Sequence, residues 1–179
     1  MSLDIFQLLK TRFGDQILES QIRFGQTEIE VSPESIAQII EHLLTSPETQ
    51  MNQLLDLVAI DYLQYPNWHG PRFSIVYLLR SLISKCRVNI RIRVAEESIS
   101  VPSISKLYKN ANWLEREAFD QVGIRFLGHP NLKRILNHHE FIGHPLRKDY
   151  PITRRQWLSE NESLMDEMAM RLKEKGYTL

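Results

Sequence analysis

The chain has 179 residues, of which 42% are hydrophobic and 25% are charged, values ordinary for a globular protein with a buried core. Its 22 basic residues balance its 22 acidic residues, and the zero net charge excludes a general electrostatic attraction to nucleic acid or to an anionic membrane. The single cysteine, Cys86, excludes an internal disulfide and a four-thiolate zinc or iron–sulfur site, and favours a reducing compartment.

Neither a secretion signal nor a membrane-spanning segment is expected from the sequence. The longest strongly apolar run, FSIVYLL, is far shorter than the roughly 20 residues that a membrane helix needs. The N-terminus carries Asp4 where a signal peptide has positive charge, and it lacks a long apolar core. We therefore expect contact with a membrane only indirectly, through other proteins.

The first part of the chain predicts a helix, a strand and a second helix. LDIFQLLKTRF has apolar residues at helical spacing, and TEIEV alternates like a strand. SPESIAQIIEHLL carries an apolar stripe, with Ser32 as the expected N-cap and Pro33 in the first helical position.

The middle of the chain is rich in predicted strands. LDLVAIDYL predicts a mostly buried strand whose start is open to a helical alternative, and RFSIVYLL and RVNIRIRV predict an antiparallel hairpin. In the second strand of the hairpin, one face carries Val88, Ile90, Ile92 and Val94, and the other carries Arg87, Asn89, Arg91 and Arg93. We expect the basic face to be solvated or covered by a partner.

A third helix is predicted in NANWLEREAFDQVG. Asn112 is the expected cap, and Glu115, three residues later, completes a capping box. Gly123 ends the helix, and GIRFLG predicts a short strand after it.

Residues 127–155 show no helical or strand period, and they contain five Gly or Pro residues, which are typical of turns. A structureless stretch of this length needs function, disorder or a partner surface to explain it, and its aliphatic and aromatic content argues against disorder. We divide the chain into an α+β domain of residues 1–126, an extended partner-wrapping segment of residues 127–155 and a C-terminal helix of residues 156–179. We expect the extended segment to be completed by contact with other polypeptides.

Two clusters within this part of the sequence have a chemical interpretation beside a structural one. His129, His138, His139 and His144 lie close to Glu140, as in a zinc site, but no pair has the i, i+4 spacing of a zinc-protease helix. Glu115, Glu117 and Asp120 share one helix, where paired carboxylates can carry out acid–base chemistry. The structural interpretation is stronger, because Glu115 is assigned to the cap and Arg116 is spaced to pair with Asp120. A buried cluster that holds a neighbouring loop is the other structural possibility.

The loop GHPLRKDYP, residues 143–151, carries Arg147, Lys148 and Asp149, which suit a phosphate, a carboxylate or a protein interface. The sequence contains neither a P-loop nor a GxGxxG motif, nor a nucleophile elbow. From the residues alone, the chain is an α+β domain with a long extended segment, and an interaction role is favoured over an enzyme acting alone.

The stretch NWLEREAFDQVGIRFLGHPNLKRILNHHEFIGHPLRKDYP, residues 112–151, resembles the 30-kDa subunit family of respiratory NADH:quinone oxidoreductase, complex I. Members of that family carry ERE-x-x-D-x-x-G-I-x-F-x-G-H-P-x-L-x-R-I-L followed by GHPLRKD-[YF]-P. Every fixed position of this pattern is present here. Looser similarity upstream extends the resemblance to residues 50–152, and the first fifty residues fit by the order of their elements only.

The resemblance implies an α+β fold in which a small, mostly antiparallel sheet packs against helices, followed by an extended C-terminal segment and a terminal helix. It implies a structural subunit of the peripheral arm beside the 49-kDa-type subunit, on the cytoplasmic side of the bacterial inner membrane. No catalytic, metal or cofactor-binding residue is expected on this chain, whereas FMN, iron–sulfur clusters and quinone are expected in other subunits. The residues expected at partner interfaces are Glu115, Arg116, Glu117, Asp120, His129, Arg134, His144, Arg147, Lys148, Asp149 and Tyr150.

Three other functions are consistent with parts of the sequence. The first is an equivalent subunit of a related membrane-bound hydrogenase or of a ferredoxin- or F420-linked complex. The second is a free-standing metal-dependent hydrolase that uses the histidine cluster. The third is a small RNA-binding module that uses the basic strand face, although this face lacks the usual aromatic platform.

Overall fold

The computed structural model describes residues 4–157 and 159–176. Residues 1–3 of the predicted α+β domain, and residues 158 and 177–179 of the predicted C-terminal helix, lie outside the described residues. The first part contains two helices and two strands, with short 3-10 turns at Gly14–Gln16 and Pro33–Ser35: α1 (Ile5–Phe13), β1 (Ile17–Arg23), β2 (Gln26–Val31) and α2 (Ile36–Thr45). Strand β1 was not predicted. Ser32 is at the N-cap position, as predicted, but of the 3-10 turn Pro33–Ser35 that precedes α2; its side chain hydrogen-bonds to Glu34 and caps no backbone N–H group, and α2 begins at Ile36.

The rest of the described chain supplies five strands and two helices: β3 (Gln53–Asp61), β4 (Phe73–Arg80), β5 (Arg87–Val94), β6 (Ser100–Pro102), α3 (Ala111–Val122), β7 (Arg125–Leu127) and α4 (Ser159–Glu174). The main sheet has the order β1-β2-β5-β4-β3, in which only the β2–β5 pair is parallel. Strands β6 and β7 form a separate parallel pair. The structure confirms the predicted β4–β5 hairpin and the α+β class.

The core lies between one face of the main sheet and the helices. Val88, Ile90, Ile92 and Val94 of β5 are buried, as predicted, opposite the apolar residues of β4. Helix α2 adds the buried side chains Ile36, Ile39, Ile40 and Leu43. Helix α3 packs along β3, the edge strand of the sheet, and this position carries the motif residues to one side of the domain.

The opposite face of the sheet corrects the prediction of a solvated or partner-covered basic surface. Arg91 is only 8% exposed and binds Glu28 of β2 through Nε (3.1 Å) and Nη2 (2.9 Å), and its Nη1 donates to Tyr62 (2.6 Å). Arg93 pairs with Glu30 at 2.7 Å. Carboxylates of β2 neutralise both guanidinium groups, because β2 is the strand next to β5 in the sheet and pairs with it in parallel. These two arginines are therefore engaged within the domain, which removes the sequence argument for RNA binding.

The start of α3 also differs from the prediction. The helix begins at Ala111 with Asn110 at the N-cap position, and not after Asn112. Asn110 donates its side-chain amide to the carbonyl of Leu54 in β3 (2.8 Å), and thereby joins the start of α3 to the edge of the sheet. Glu115 therefore lies too far along the helix to close a capping box. The predicted end is confirmed, since Gly123 adopts a φ of 88°, in the left-handed region.

Candidate interaction surface

Asp120 is the residue that fastens the irregular segment to α3. Its fully buried carboxylate accepts hydrogen bonds at both oxygens. At Oδ2 the donors are the backbone N–H groups of Ile135 (3.1 Å), Leu136 (2.9 Å) and Asn137 (2.8 Å). At Oδ1 they are Arg134 Nη1 (2.7 Å) and Asn137 Nδ2 (3.0 Å). Burial acts to raise the pKa of Asp120, but the donors from Asn137 and Arg134 outweigh it and hold the pKa well below its ordinary value.

The predicted pair of Arg116 with Asp120 is wrong. Arg116 turns toward the segment and donates to the carbonyl oxygens of Lys133 and Arg134, each at 2.9 Å. Its guanidinium also lies 5.1 Å from the ring centre of Trp113. Helix α3 thus binds both kinds of backbone group in the segment. Arg116 donates to two carbonyl oxygens, and Asp120 accepts from the N–H groups of the three residues that follow.

Glu115 has a structural partner other than the predicted cap. Its carboxylate is fully buried and accepts from Ser103 Oγ (2.6 Å) and from the backbone N–H of Ile104 (2.7 Å). These contacts join α3 to the turn after β6. Burial raises the pKa of Glu115 to about 7, against the opposing effect of the two hydrogen bonds. Glu117, two residues later, is exposed to solvent on another side of the helix.

His129 and His144 hold the segment against opposite ends of α3. Nδ1 of His129 accepts from Asn131 N (3.0 Å), so its Nε2 is the nitrogen that donates to the Asn112 carbonyl (3.1 Å). Nδ1 of His144 donates to the Asp120 carbonyl (2.9 Å). Burial lowers the pKa of His144, as do Arg147 and Arg134. Both imidazoles therefore have backbone partners.

Gly123 is required where the segment crosses the end of α3. An added Cβ would lie 2.7 Å from the His144 ring and 2.7 Å from Arg147 Nη2, and the left-handed φ disfavours any side chain. Arg147 donates through Nε to the carbonyl of Val122 (2.7 Å), and its guanidinium lies 5.2 Å from the Phe73 ring centre. A cation at the C-terminus of a helix is favourable for the exposed carbonyls there.

Asp61 and Arg72, which the sequence did not single out, fix the next residues of the loop. Arg72 binds Asp61 in a bidentate manner at 3.0 and 2.9 Å and also pairs with Asp149 at 2.8 Å. Asp61 Oδ2 accepts from the backbone N–H of Lys148 (2.9 Å). Burial acts to raise the pKa of Asp61, but the Arg72 and Lys148 donors lower it below its ordinary value. The signal in the sequence was an acidic residue at the end of a predicted strand.

The last turns of the segment close on themselves. Gln156 binds both the N–H and the carbonyl of Ile142 (2.8 and 2.7 Å) and donates to the Tyr150 hydroxyl (2.7 Å). The ring of Tyr150 lies so near Gly143 that an added Cβ would come within 2.9 Å, as expected of a glycine that permits close approach. Glu140 accepts from Ser159 N (2.8 Å), and so joins the segment to the start of α4.

These contacts satisfy many polar groups of the segment within the chain, and its completion by other polypeptides stays a prediction. The segment is irregular, as predicted, but its polar groups on the inner side bind α3 and the end of β3. Its outer side exposes large apolar side chains, including Ile152 (99%), Leu136, Ile142 and Leu146, and Trp157 (76%) is exposed just after it. The interface roles of the eleven motif residues stay predictions, and most of these residues have intramolecular partners.

Metal binding and membrane insertion have no support in the described residues. Among residues 4–157 and 159–176, no group of three or more His, Cys, Asp or Glu side chains is arranged to hold a metal ion. The rings of His138 and His139 lie against each other, with centres 4.2 Å apart. In the part of the chain that the structure describes, every helix is too short or too polar to cross a bilayer.

Residues 29–156 match the model of a protein family described as respiratory-chain NADH dehydrogenase, 30-kDa subunit. The chain belongs to this family. The match confirms the resemblance seen in the sequence, and it begins in β2, about twenty residues before residue 50, where the looser upstream similarity began. Asp120, Gly123 and the loop of residues 143–151 all lie within the matched region.

Curated members of the 30-kDa subunit family resemble the chain over most of its length. The C subunit of NADH-quinone oxidoreductase from Thiobacillus denitrificans is 39% identical over 148 residues, which cover 81% of this chain and 74% of that protein. The protein of the same name from Legionella pneumophila is 34% identical over 175 residues, covering 83% of this chain and 77% of the relative. These names support membership in an NADH:quinone oxidoreductase complex.

Two solved structures share the fold. A trypsin-resistant fragment of Nqo5 (residues 1–134) has a TM-score of 0.63 and 31% identity, and the match covers 70% of this chain and 97% of the fragment. A chain of an archaeal membrane-bound sulfane sulfur reductase has a TM-score of 0.64 at 22% identity, and the match covers 82% of this chain and 83% of that chain. The second likeness shows the fold alone.

Proposed function

We propose that the chain is a structural subunit without a redox centre in the peripheral arm of proton-translocating NADH:quinone oxidoreductase. It holds the arm together next to the 49-kDa-type subunit and thereby supports electron transfer from NADH to quinone. FMN, iron–sulfur clusters and quinone bind to other subunits. The chain sits on the cytoplasmic side of the bacterial inner membrane and reaches the membrane only through the complex.

One observation carries this proposal: residues 127–155 and the two residues that follow them are polar and fastened on their inner side, and apolar and exposed on their outer side. Asp120, Arg116 and Asp61 bind the inner backbone, while Ile152 and Trp157 are largely exposed. Contiguous exposed apolar surface marks protein–protein contact sites, and tryptophan is enriched among the residues that dominate binding energy. A neighbouring subunit supplies the surface that covers them.

A relative with a solved structure supports the same division of the chain. This structure is of a trypsin-resistant fragment of Nqo5, and 97% of that fragment aligns with only 70% of this chain. We infer that the sheet and its helices form the stable unit here too, and that the remaining part is protected in the complex. Proteolysis of exposed chain ends fits this division.

The test is assembly of the complex with altered outer residues. Trp157→Ala combined with Ile152→Ser should reduce the amount of assembled complex on native gels and the copurification of the 49-kDa-type subunit. The matched control is Phe24→Ser, because Phe24 is equally exposed but lies on the turn between β1 and β2. NADH:quinone activity per assembled complex should change little.

Two results would contradict the proposal. Unchanged assembly of the double variant means that the outer apolar side chains do not bind a subunit. Normal assembly with abolished turnover in Arg147→Ala or Asp149→Ala means that the loop of residues 143–151 takes part in the chemistry. We expect these two variants instead to lower the amount of assembled complex, because each removes an anchor of the loop.

A further inference from the structure

A groove runs between the edge strand β3 and helix α3, next to the point where Arg147 binds the carbonyl of Val122. It has a volume of about 270 Å³, and its walls include Val58, Ala118, Val122 and Leu146. Val58 is 39% exposed and Leu146 is 56% exposed, so the apolar wall is accessible from solvent. The volume lies just below the roughly 300–1,000 Å³ of sites for small organic ligands, and it suits one or two protein side chains.

The rim of the groove is acidic. Asp56 of β3 and Glu117 of α3 both line it, both are exposed, and neither forms an ion pair within the described residues. None of the described residues that line the groove is Lys, Arg or His. Glu117 contrasts with Glu115 and Asp120 on the same helix, which are buried and bound to the chain itself.

We propose that this groove binds an apolar side chain from a segment of a neighbouring subunit in which lysine or arginine flanks the apolar residue. The apolar wall receives the side chain, and Asp56 and Glu117 pair with the flanking cations. The two carboxylates repel phosphate groups, which argues against nucleic acid or an anionic lipid as the occupant. The inference rests on the proposed function, since it needs an assembly that supplies the neighbour.

The groove has a second feature that suits an extended segment. Strand β3 ends the main sheet, and among the described strands none pairs with its outer side. Asn110 already occupies the carbonyl of Leu54 at one end of this edge, and the N–H of Leu57 donates to Asp56 Oδ1 (2.8 Å). A segment that enters beside Val58 in extended form reaches the remaining edge of the backbone, as in other cases of peptide recognition at a sheet edge.

The experiment uses photo-crosslinking in the intact complex. p-Benzoylphenylalanine replaces Val58, gently solubilised membranes are irradiated, and the crosslinked peptide is sequenced by mass spectrometry. The expected product joins this chain to a segment of another subunit in which Lys or Arg lies within two residues of an apolar residue. Adding Asp56→Lys and Glu117→Arg should lower the yield roughly tenfold, because two favourable exposed ion pairs become two repulsive contacts.

The matched control is Glu97→Arg, which reverses an exposed acidic residue outside the groove and should leave the yield unchanged. A product with a neutral or acidic segment, a product with a second copy of this chain, or no product at all overturns the inference. So does a yield that the double charge reversal leaves unaltered. If the 49-kDa-type subunit still copurifies in those cases, the proposed function survives. Loss of that copurification from the unaltered chain would contradict both.

Discussion

Replacing Asp120 by Asn should destabilise the chain far more than the loss of one charge on a surface. The Asn side chain has the same shape, but one of its two terminal positions becomes a donor. If the amide nitrogen takes the place of Oδ2, it faces three backbone N–H groups, and if it takes the place of Oδ1, it faces Arg134 and the Asn137 amide. Either orientation sets donors against donors and leaves the Arg134 cation without its anion.

The magnitude follows from the burial of this pair. Breaking a buried ion pair by removing one partner destabilises a protein by about 3–5 kcal/mol, because the other charge stays buried and uncompensated. That is a large part of the roughly 5–15 kcal/mol that stabilises a folded domain, and corresponds to about 6–20 °C in Tm for a chain of this size. We expect the Asp120→Asn variant to fold and to melt within this interval below the unaltered chain.

Urea unfolding followed by circular dichroism measures the difference in the free energy of unfolding. The matched control is Glu117→Gln, an exposed carboxylate on the same helix, which should change stability by less than about 0.5 kcal/mol. A change below about 1 kcal/mol in Asp120→Asn would refute the assignment of Asp120 as the main anchor of the segment.

The pH dependence gives a second, independent measurement. The folded pKa of Asp120 lies below its unfolded value of about 3.9, so its contribution to stability is fully present above that value and is lost as the pH falls toward the folded pKa. The difference in the free energy of unfolding between the unaltered chain and Asp120→Asn should therefore shrink as the pH falls below about 4. A difference that stays constant down to pH 2 contradicts the lowered pKa.

Three further predictions concern the other anchors. Gly123→Ala should destabilise the chain by about 1–3 kcal/mol in thermal melts, because the new Cβ meets His144 and the left-handed backbone disfavours a side chain; a neutral effect would mean that the loop simply moves away. The pKa of Glu115 is raised to about 7, so its contribution to stability is fully present below the unfolded pKa of about 4.3 and is lost as the pH rises through 7. Glu115→Gln should therefore flatten this part of a curve of stability against pH. An unchanged slope would contradict the raised pKa. Arg72→Met should increase amide hydrogen exchange at residues 148–150 at least tenfold while β4 stays protected, whereas equal exchange would show that Asp61 holds the loop alone.

Local sequence patterns predicted the parts of the fold that depend on local spacing. The alternation in β5 identified its buried face, and the glycine after α3 marked the end of that helix. Strand β1 was missed because Ile17–Arg23 is an edge strand whose sequence lacks a clear apolar alternation. The basic face of β5 was misassigned because its neutralising carboxylates lie on β2, 63 residues away for Arg91 and Glu28.

The contacts of the candidate surface were even harder to predict, because they too join residues that are distant in the sequence. The motif pointed to Asp120, Arg116 and Arg147, but helical spacing paired Arg116 with Asp120, whereas both bind the segment. Asp61 escaped notice because its partner, the backbone of Lys148, is 87 residues later in the chain. A spacing rule reports which side chains are neighbours on one element, and it carries no information about a loop that returns from elsewhere.

The order already present in the segment decides how it can bind. A disordered segment loses conformational entropy when it docks, and this loss reduces the affinity that its contacts provide. Here Asp120, Arg116 and Asp61 have fixed the backbone before any partner arrives, so most of that loss occurs on folding. The charged residues of GHPLRKDYP therefore determine the shape of the loop. If the proposed function is right, we expect the affinity for a neighbour to come from exposed apolar side chains such as Trp157. The charged residues of the motif then serve mainly to bind their own chain.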